Sequence, residues 1–179
     1  MIVPTVQFIQ FNPAINPSGV RNVLASGIKA LDTSLNGYLD FGNLNISTSG
    51  RVSDTKMVIF RASNMGSASG IYNIRFYLSS ASAFNAGTYR FLYRISSHYL
   101  GTAFQLMTTD LDIPTILPTN ANLLGTLSVS GYPTISGIAD RDVSQYIYLA
   151  TYIGTDVPYG TYGGGGAGSF RYRAVYDFS

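Results

Sequence analysis

The stretch GGGGAG, residues 163–168, is the nearest thing in this chain to a phosphate-binding loop. Gly163, Gly165 and Gly168 satisfy the Gly-x-Gly-x-x-Gly spacing that lets backbone N–H groups approach a pyrophosphate. That chemistry also needs a helix after the loop, with its N-terminus on the anion, and an acid about twenty residues further on. The residues that follow, FRYRAVYDFS, alternate like a strand instead. The glycines are therefore predicted to form a hairpin tip, free to bend or lie flat on a neighbour. Tyr159, Tyr162, Gly163, Gly164, Gly165 and Gly166 become a candidate contact tip.

The remaining chemistry-bearing residues are few. His98 is the only histidine, and no Gly-x-Ser-x-Gly elbow accompanies it, so SSHYLG reads as a loop or strand end. Every acid is an aspartate, and only Asp110/Asp112 and Asp140/Asp142 are clustered. Alternate aspartates in a loop can ligate Ca²⁺, but without a full calcium-loop signature they read as turn residues. Four arginines, Arg90, Arg94, Arg171 and Arg173, sit opposite apolar residues on alternating strands. They are either a solvated sheet face or a stripe facing an acidic partner. No catalytic constellation, cofactor site or small-molecule substrate is predicted, and the chain is expected not to be an enzyme.

The elements that would carry these residues are strands. Charged residues make up 11% of the chain, against about 25% in an average soluble protein. Glutamate is absent and lysine occurs twice, at Lys29 and Lys56, which removes the usual solvent face of helices. Nineteen glycines, fourteen tyrosines and ten phenylalanines favour strands and tight turns. A formal net charge of +2 is too slight to argue for nucleic acid or an anionic membrane. A surface so poor in charge is weakly defended against association. Lacking cysteine, the chain has no disulfide or thiolate metal site.

Residues 1–17 are predicted to be an extended N-terminal arm, with residues 18–179 a single β-sandwich domain. In the arm Val6, Phe8 and Gln10 face one way and Ile9 and Phe11 the other, bounded by Pro4 and Pro13. Residues 18–31 fit a helix and a strand about equally. YLDFGNLNIS is predicted as a strand, and KMVIFRAS places Val58, Phe60 and Ala62 on one face. GIYNIRFYLSS alternates Tyr72, Ile74, Phe76 and Leu78 against Asn73 and Arg75. GTYRFLYRIS alternates Tyr89, Phe91, Tyr93 and Ile95 against Arg90 and Arg94. Weaker strands are expected at 103–108 and 123–130. QYIYLATYIG is apolar on both faces, as a strand covered on both sides would be. In the last strand Phe170, Tyr172, Ala174, Tyr176 and Phe178 share a face, opposite Arg171, Arg173, Val175 and Asp177. Eight or nine short antiparallel strands separated by turn signals predict an all-β sandwich, jelly-roll or immunoglobulin-like.

LDFGNLNIS followed by KMVIFRASNMGSASGIYNIRFYL resembles the opening strands of immunoglobulin-like sandwiches in bacterial and archaeal surface fibres, including the camelysin-type family. VPYGTY and FRYRAVY resemble the last hairpin of such modules. The resemblance covers residues 39–78 and 157–176. The opening MIVPTVQFIQFNP lacks the basic region of a signal peptide, and in this the chain is more similar to phage and archaeal virus decoration proteins. The resemblance implies a virion structural protein, made in the host cytoplasm, that contacts copies of itself and a major capsid or other virion protein. Val6, Phe8, Ile9 and Phe11 would add a strand to a neighbour's sheet edge. The alternatives are an extracellular filament subunit assembling by donor-strand exchange and a carbohydrate-binding module with tyrosines stacked on sugars.

Overall fold

The computed structural model describes residues 3–11, 28–31, 39–45, 49–64, 66–80, 88–96, 100–101, 103–123, 127–128, 145–157 and 170–179. Among them the regular structure is all β and every strand pairing is antiparallel. No helix among the described residues is long and apolar enough to cross a membrane. In chain order the strands are β1 (Thr5–Phe11), β2 (Ile28–Leu31), β3 (Arg51–Val52), β4 (Lys56–Asn64) and β5 (Gly70–Ser80). They continue with β6 (Tyr89–Ser96), β7 (Leu111–Asp112), β8 (Leu127–Ser128), β9 (Tyr146–Ile153) and β10 (Arg171–Phe178).

The larger sheet runs β2-β1-β4-β9-β6-β7, and β3 also pairs with β9. The smaller sheet runs β10-β5-β8. β9 lies between β4 and β6, and its first six residues are buried on both faces, as its uninterrupted apolar sequence predicts. β3 and β4 follow the same edge of β9 with an interruption at Ser53–Thr55. The hydroxyl of Ser53 accepts the Thr151 N–H at 3.0 Å while the Ser53 N–H donates to the Thr151 carbonyl at 2.8 Å. A side chain thus takes the place of a ladder carbonyl where the strand bulges.

One buried cluster draws on both sheets. Val58, Phe60, Phe91, Ile147 and Leu149 come from the larger sheet, and Ile71, Ile74, Phe76 and Leu78 from the smaller. Phe8 lies 5.7 Å from Phe76, Phe60 5.8 Å from Tyr176, and Phe91 4.4 Å from Phe170, measured between ring centroids. Each buried phenylalanine contributes about 1.5–3 kcal/mol, and tilted ring pairs add about 0.5–1.5 kcal/mol more. The other face of the larger sheet is apolar too. Ile9, Met57, Ile59, Leu92, Tyr146, Tyr148 and Ala150 are buried there with Leu106.

Several sequence expectations are corrected. Residues 39–45 of the expected strand YLDFGNLNIS are irregular. The Asp40 carboxylate accepts the Gly42 N–H at 2.8 Å, and Gly42 has φ of 75°, a left-handed turn that ends extension. Leu39 and Phe41 still pack on the core. Residues 103–108 form no strand either: the Leu106 N–H donates to the Thr55 hydroxyl, the Met107 N–H to the Asp110 carboxylate and the Phe104 N–H to the Gly101 carbonyl. Tyr72 does not face inward with Ile74; it is 41% exposed, and Ile71 is buried in its place. The cause is an extra residue in β5 opposite β10, where Asn73 takes φ of 51°. Asparagine tolerates that conformation, and its amide donates to the Asp177 carboxylate at 2.7 Å. Below the bulge the alternation runs one residue out of step.

The segment read as an arm is placed in the chain's own sheet. Residues 5–11 pair along β4 on one side, and residues 8–11 with β2 on the other. Val6 and Phe8 pack on the core, and Ile9 is buried on the opposite face. Phe11 aligns with Ile28 and Met57. Of residues 18–31, 28–31 are strand, and the rest lie outside the described residues. β9 and β10 belong to different sheets, and the glycine-rich stretch between them, expected as a hairpin tip, lies outside the described residues.

Candidate functional site

Among the described residues, segment 103–123, with only the two-residue β7 as regular structure, is held by many side-chain bonds, and its fastenings begin with the two arginines of β6. Alternation sends Tyr89, Phe91, Tyr93 and Ile95 into the core, which turns Arg90, Leu92 and Arg94 to the other face. Arg90 donates from Nε to the Asp112 carboxylate at 2.8 Å and from Nη1 to the Thr108 carbonyl at 2.8 Å. Nη2 reaches the Asp110 carbonyl at 3.4 Å. A planar guanidinium can bind three acceptors of one turn because its donors are held in a fixed fork.

Arg94 donates from Nε to the Asp110 carboxylate at 2.8 Å, and its guanidinium lies 5.2 Å from the centre of the Phe104 ring. The other Asp110 oxygen accepts the Met107 N–H at 2.8 Å. Asp110 is buried, so its charge relies on these partners. Further along, the Leu106 N–H donates to the Thr55 hydroxyl at 2.8 Å, and the Thr55 N–H to the Gln105 amide oxygen at 2.9 Å.

Beyond β7 the segment crosses to the smaller sheet. The Ile113 N–H donates to the Phe91 carbonyl of β6 at 2.8 Å, and the Leu78 N–H of β5 donates to the Pro114 carbonyl at 2.9 Å. Asn122 then mimics a strand partner. Its amide oxygen accepts the Phe76 N–H at 2.6 Å, and its amide nitrogen donates to the Phe76 carbonyl at 2.7 Å. An open cavity of about 400 Å³ lies at this seam, lined by Tyr93, Arg94, Ile95, Thr109, Asp110, Leu111 and Asn122. Its two charges are bonded to each other, and burial raises the Tyr93 hydroxyl above its ordinary pKa.

This tethered segment displays apolar side chains to solvent. Ile116 is 80% exposed and Leu111 67%, with Met107 and Leu117 also exposed. Sequence reasoning missed all four. The signal was the run Ile116–Leu117 between Pro114 and Pro118, where prolines exclude a central strand and leave apolar residues without an inward face.

Arg171 and Arg173 lie elsewhere, on the outer face of the smaller sheet. Among the described residues neither pairs with an acid. Asp110 and Asp112, the clustered acids considered as cation ligands, are engaged by Arg94 and Arg90. No group of three potential metal-ligating side chains occurs among the described residues. His98, Asp140, Asp142, Tyr159, Tyr162, Gly163, Gly164, Gly165 and Gly166 lie outside the described residues. Comparison with protein-family models, curated proteins and solved structures finds no match to this chain.

Proposed function

We propose that this chain is a structural protein rather than an enzyme, a jelly-roll or immunoglobulin-like β-sandwich that decorates or stabilises the surface of a capsid or related particle. Its partners are copies of itself and a major capsid or other virion protein. The ring contacts between strands of the two sheets support the sandwich. The observation that carries the assembly role is the 107–117 segment. It is held by Arg90, Arg94 and Pro114 yet exposes Met107, Leu111, Ile116 and Leu117. Pinning a loop in advance lowers the entropy cost of burying its apolar side chains against a partner.

Strand-addition contacts in this reading take the form of exchange, with β1 of one copy pairing with β4 of another. The same ladder favours the second reading, an extracellular filament subunit. β1 fills its sheet along seven residues and buries side chains on both faces, which is what a donated strand must do.

The test is a Leu111→Asp/Ile116→Asp double variant of the full chain. Native mass spectrometry and sedimentation should show the unmodified chain associating, and the variant associating at least about tenfold more weakly with an unchanged melting temperature. The unmodified protein should also be found in particles purified from the producing culture. A chain that stays monomeric at about 100 µM, far above the affinity of a stable interface, and is missing from such particles would overturn the proposal.

A further inference from the structure

On the outer face of the smaller sheet, Arg171 and Arg173 project from β10 at alternate positions, and Arg75 projects from the neighbouring strand β5. The ladder places Arg173 opposite Tyr77 and Val175 opposite Arg75. The two β10 arginines are therefore about 7 Å apart along the strand, with Arg75 about 7–8 Å from Arg173 on the diagonal. None of the three forms an ion pair with a described acid. Arg75 is half-buried, and its Nε is shielded with no hydrogen-bond partner. The one acid on this face among the described residues, Asp177, is engaged by Asn73. Three cations against one anion make an excess of two, equal to the formal net charge of the whole chain, +2. Charge elsewhere in the sequence balances; this face does not.

We infer that this face binds an extended protein segment carrying carboxylates at alternate positions, laid along β10. Guanidinium forks match carboxylates bidentately. Alternate side chains of an extended segment repeat at the same spacing as Arg171 and Arg173, since both spacings come from the β pleat. Among the described residues β10 pairs only with β5, and backbone pairing along its other side would set the register. Single-stranded nucleic acid fits less well. It requires exposed rings beside the cations, and among the described residues the one well-exposed tyrosine, Tyr72, stands opposite Asp177, which repels phosphate. This inference uses residues separate from the 107–117 segment, so either can fail without the other.

The experiment measures fluorescence anisotropy of the full chain with three labelled probes of equal charge. One is a peptide with aspartates at alternate positions, one the same composition with its aspartates in a block, and one an oligo-dT. The alternating peptide should bind most tightly and lose affinity as salt rises. Arg171→Gln/Arg173→Gln should weaken it by about tenfold or more. Arg51→Gln, on β3 of the larger sheet, should change it by less than about twofold. Equal binding of the blocked peptide, tighter binding of oligo-dT, an unaltered double variant, or no binding of the alternating peptide at about 100 µM would each overturn the inference.

Discussion

β6 and β10 each carry two arginines on the face turned away from the shared core, and in sequence the two pairs look alike. Across β6 the chain lays residues 103–112, and Arg90 and Arg94 become fasteners that bind two aspartates, two carbonyls and a ring. Across β10 no described segment is laid, and Arg171 and Arg173 keep their charge for something else. An arginine's role on a sheet is thus decided by what crosses above it. The strand pattern says only that it points outward.

The sharpest way to break this comparison is to remove the acid on which the fastened side depends. Asp110→Ala should cost about 2–3 kcal/mol, because a buried charged acceptor with bonds to Arg94 and the Met107 N–H is lost. Urea unfolding would measure it, and a change below about 0.5 kcal/mol, the scale of ordinary surface substitutions, would show that the 107–112 turn holds without its carboxylate. Next in size is the contrast between the arginine pairs themselves. Arg90→Gln/Arg94→Gln should lose about 1–2 kcal/mol, discounted for the partial exposure of both side chains. Arg171→Gln/Arg173→Gln should stay within about 0.5 kcal/mol of the parent. Equal losses would erase the distinction.

The smallest expected effect is on the pH dependence. Asp156 accepts the Thr88 N–H at 2.9 and 3.0 Å and the Thr88 hydroxyl at 3.1 Å, and these bonds, the backbone one foremost, hold its carboxyl below the ordinary 3.8. Gly154 makes the arrangement possible, since a Cβ there would stand 2.6 Å from an Asp156 oxygen. A folded value below the unfolded one means the contribution is complete above the ordinary value and is lost as pH falls through the folded value. Asp156→Asn should therefore flatten the decline in melting temperature on going below about pH 4. At the alkaline end the sign reverses. Burial foremost, with a lesser contribution from Tyr89, raises the Tyr172 hydroxyl well above its ordinary 10.0. Stability should then fall as pH rises past that value, where only the unfolded chain ionises. Tyr172→Phe should reduce this fall.

Much of the fold was legible in the sequence wherever a strand is long and one-faced. β6 and β10 follow their alternation because a period of two with one apolar face has a single way to be buried, and β9 follows its uninterrupted apolar run by being covered on both faces. Legibility failed where local bonds compete with extension. Asp40 and Gly42 turn a strand-like run into a loop, and Asn73 shifts β5 by one residue. Residues 103–108 gave up a ladder for side-chain bonds to Thr55 and Asp110. The candidate sites were legible only as residue types. Arg90, Arg94, Arg171 and Arg173 could be named as outward-facing, but nothing local separates the fastened pair from the exposed one. Arg75 was placed on the correct face without being joined to them, because the β5–β10 register is a pairing between distant residues.

The sequence by itself determined that this is an antiparallel all-β chain with aromatic inner faces, since alternation and the scarcity of helix formers act within a few residues. Only the tertiary structure decided which arginines are neutralised, where β1 is housed and which apolar side chains face water. Those outcomes depend on contacts between segments tens of residues apart, whose bond distances and registers no local pattern encodes.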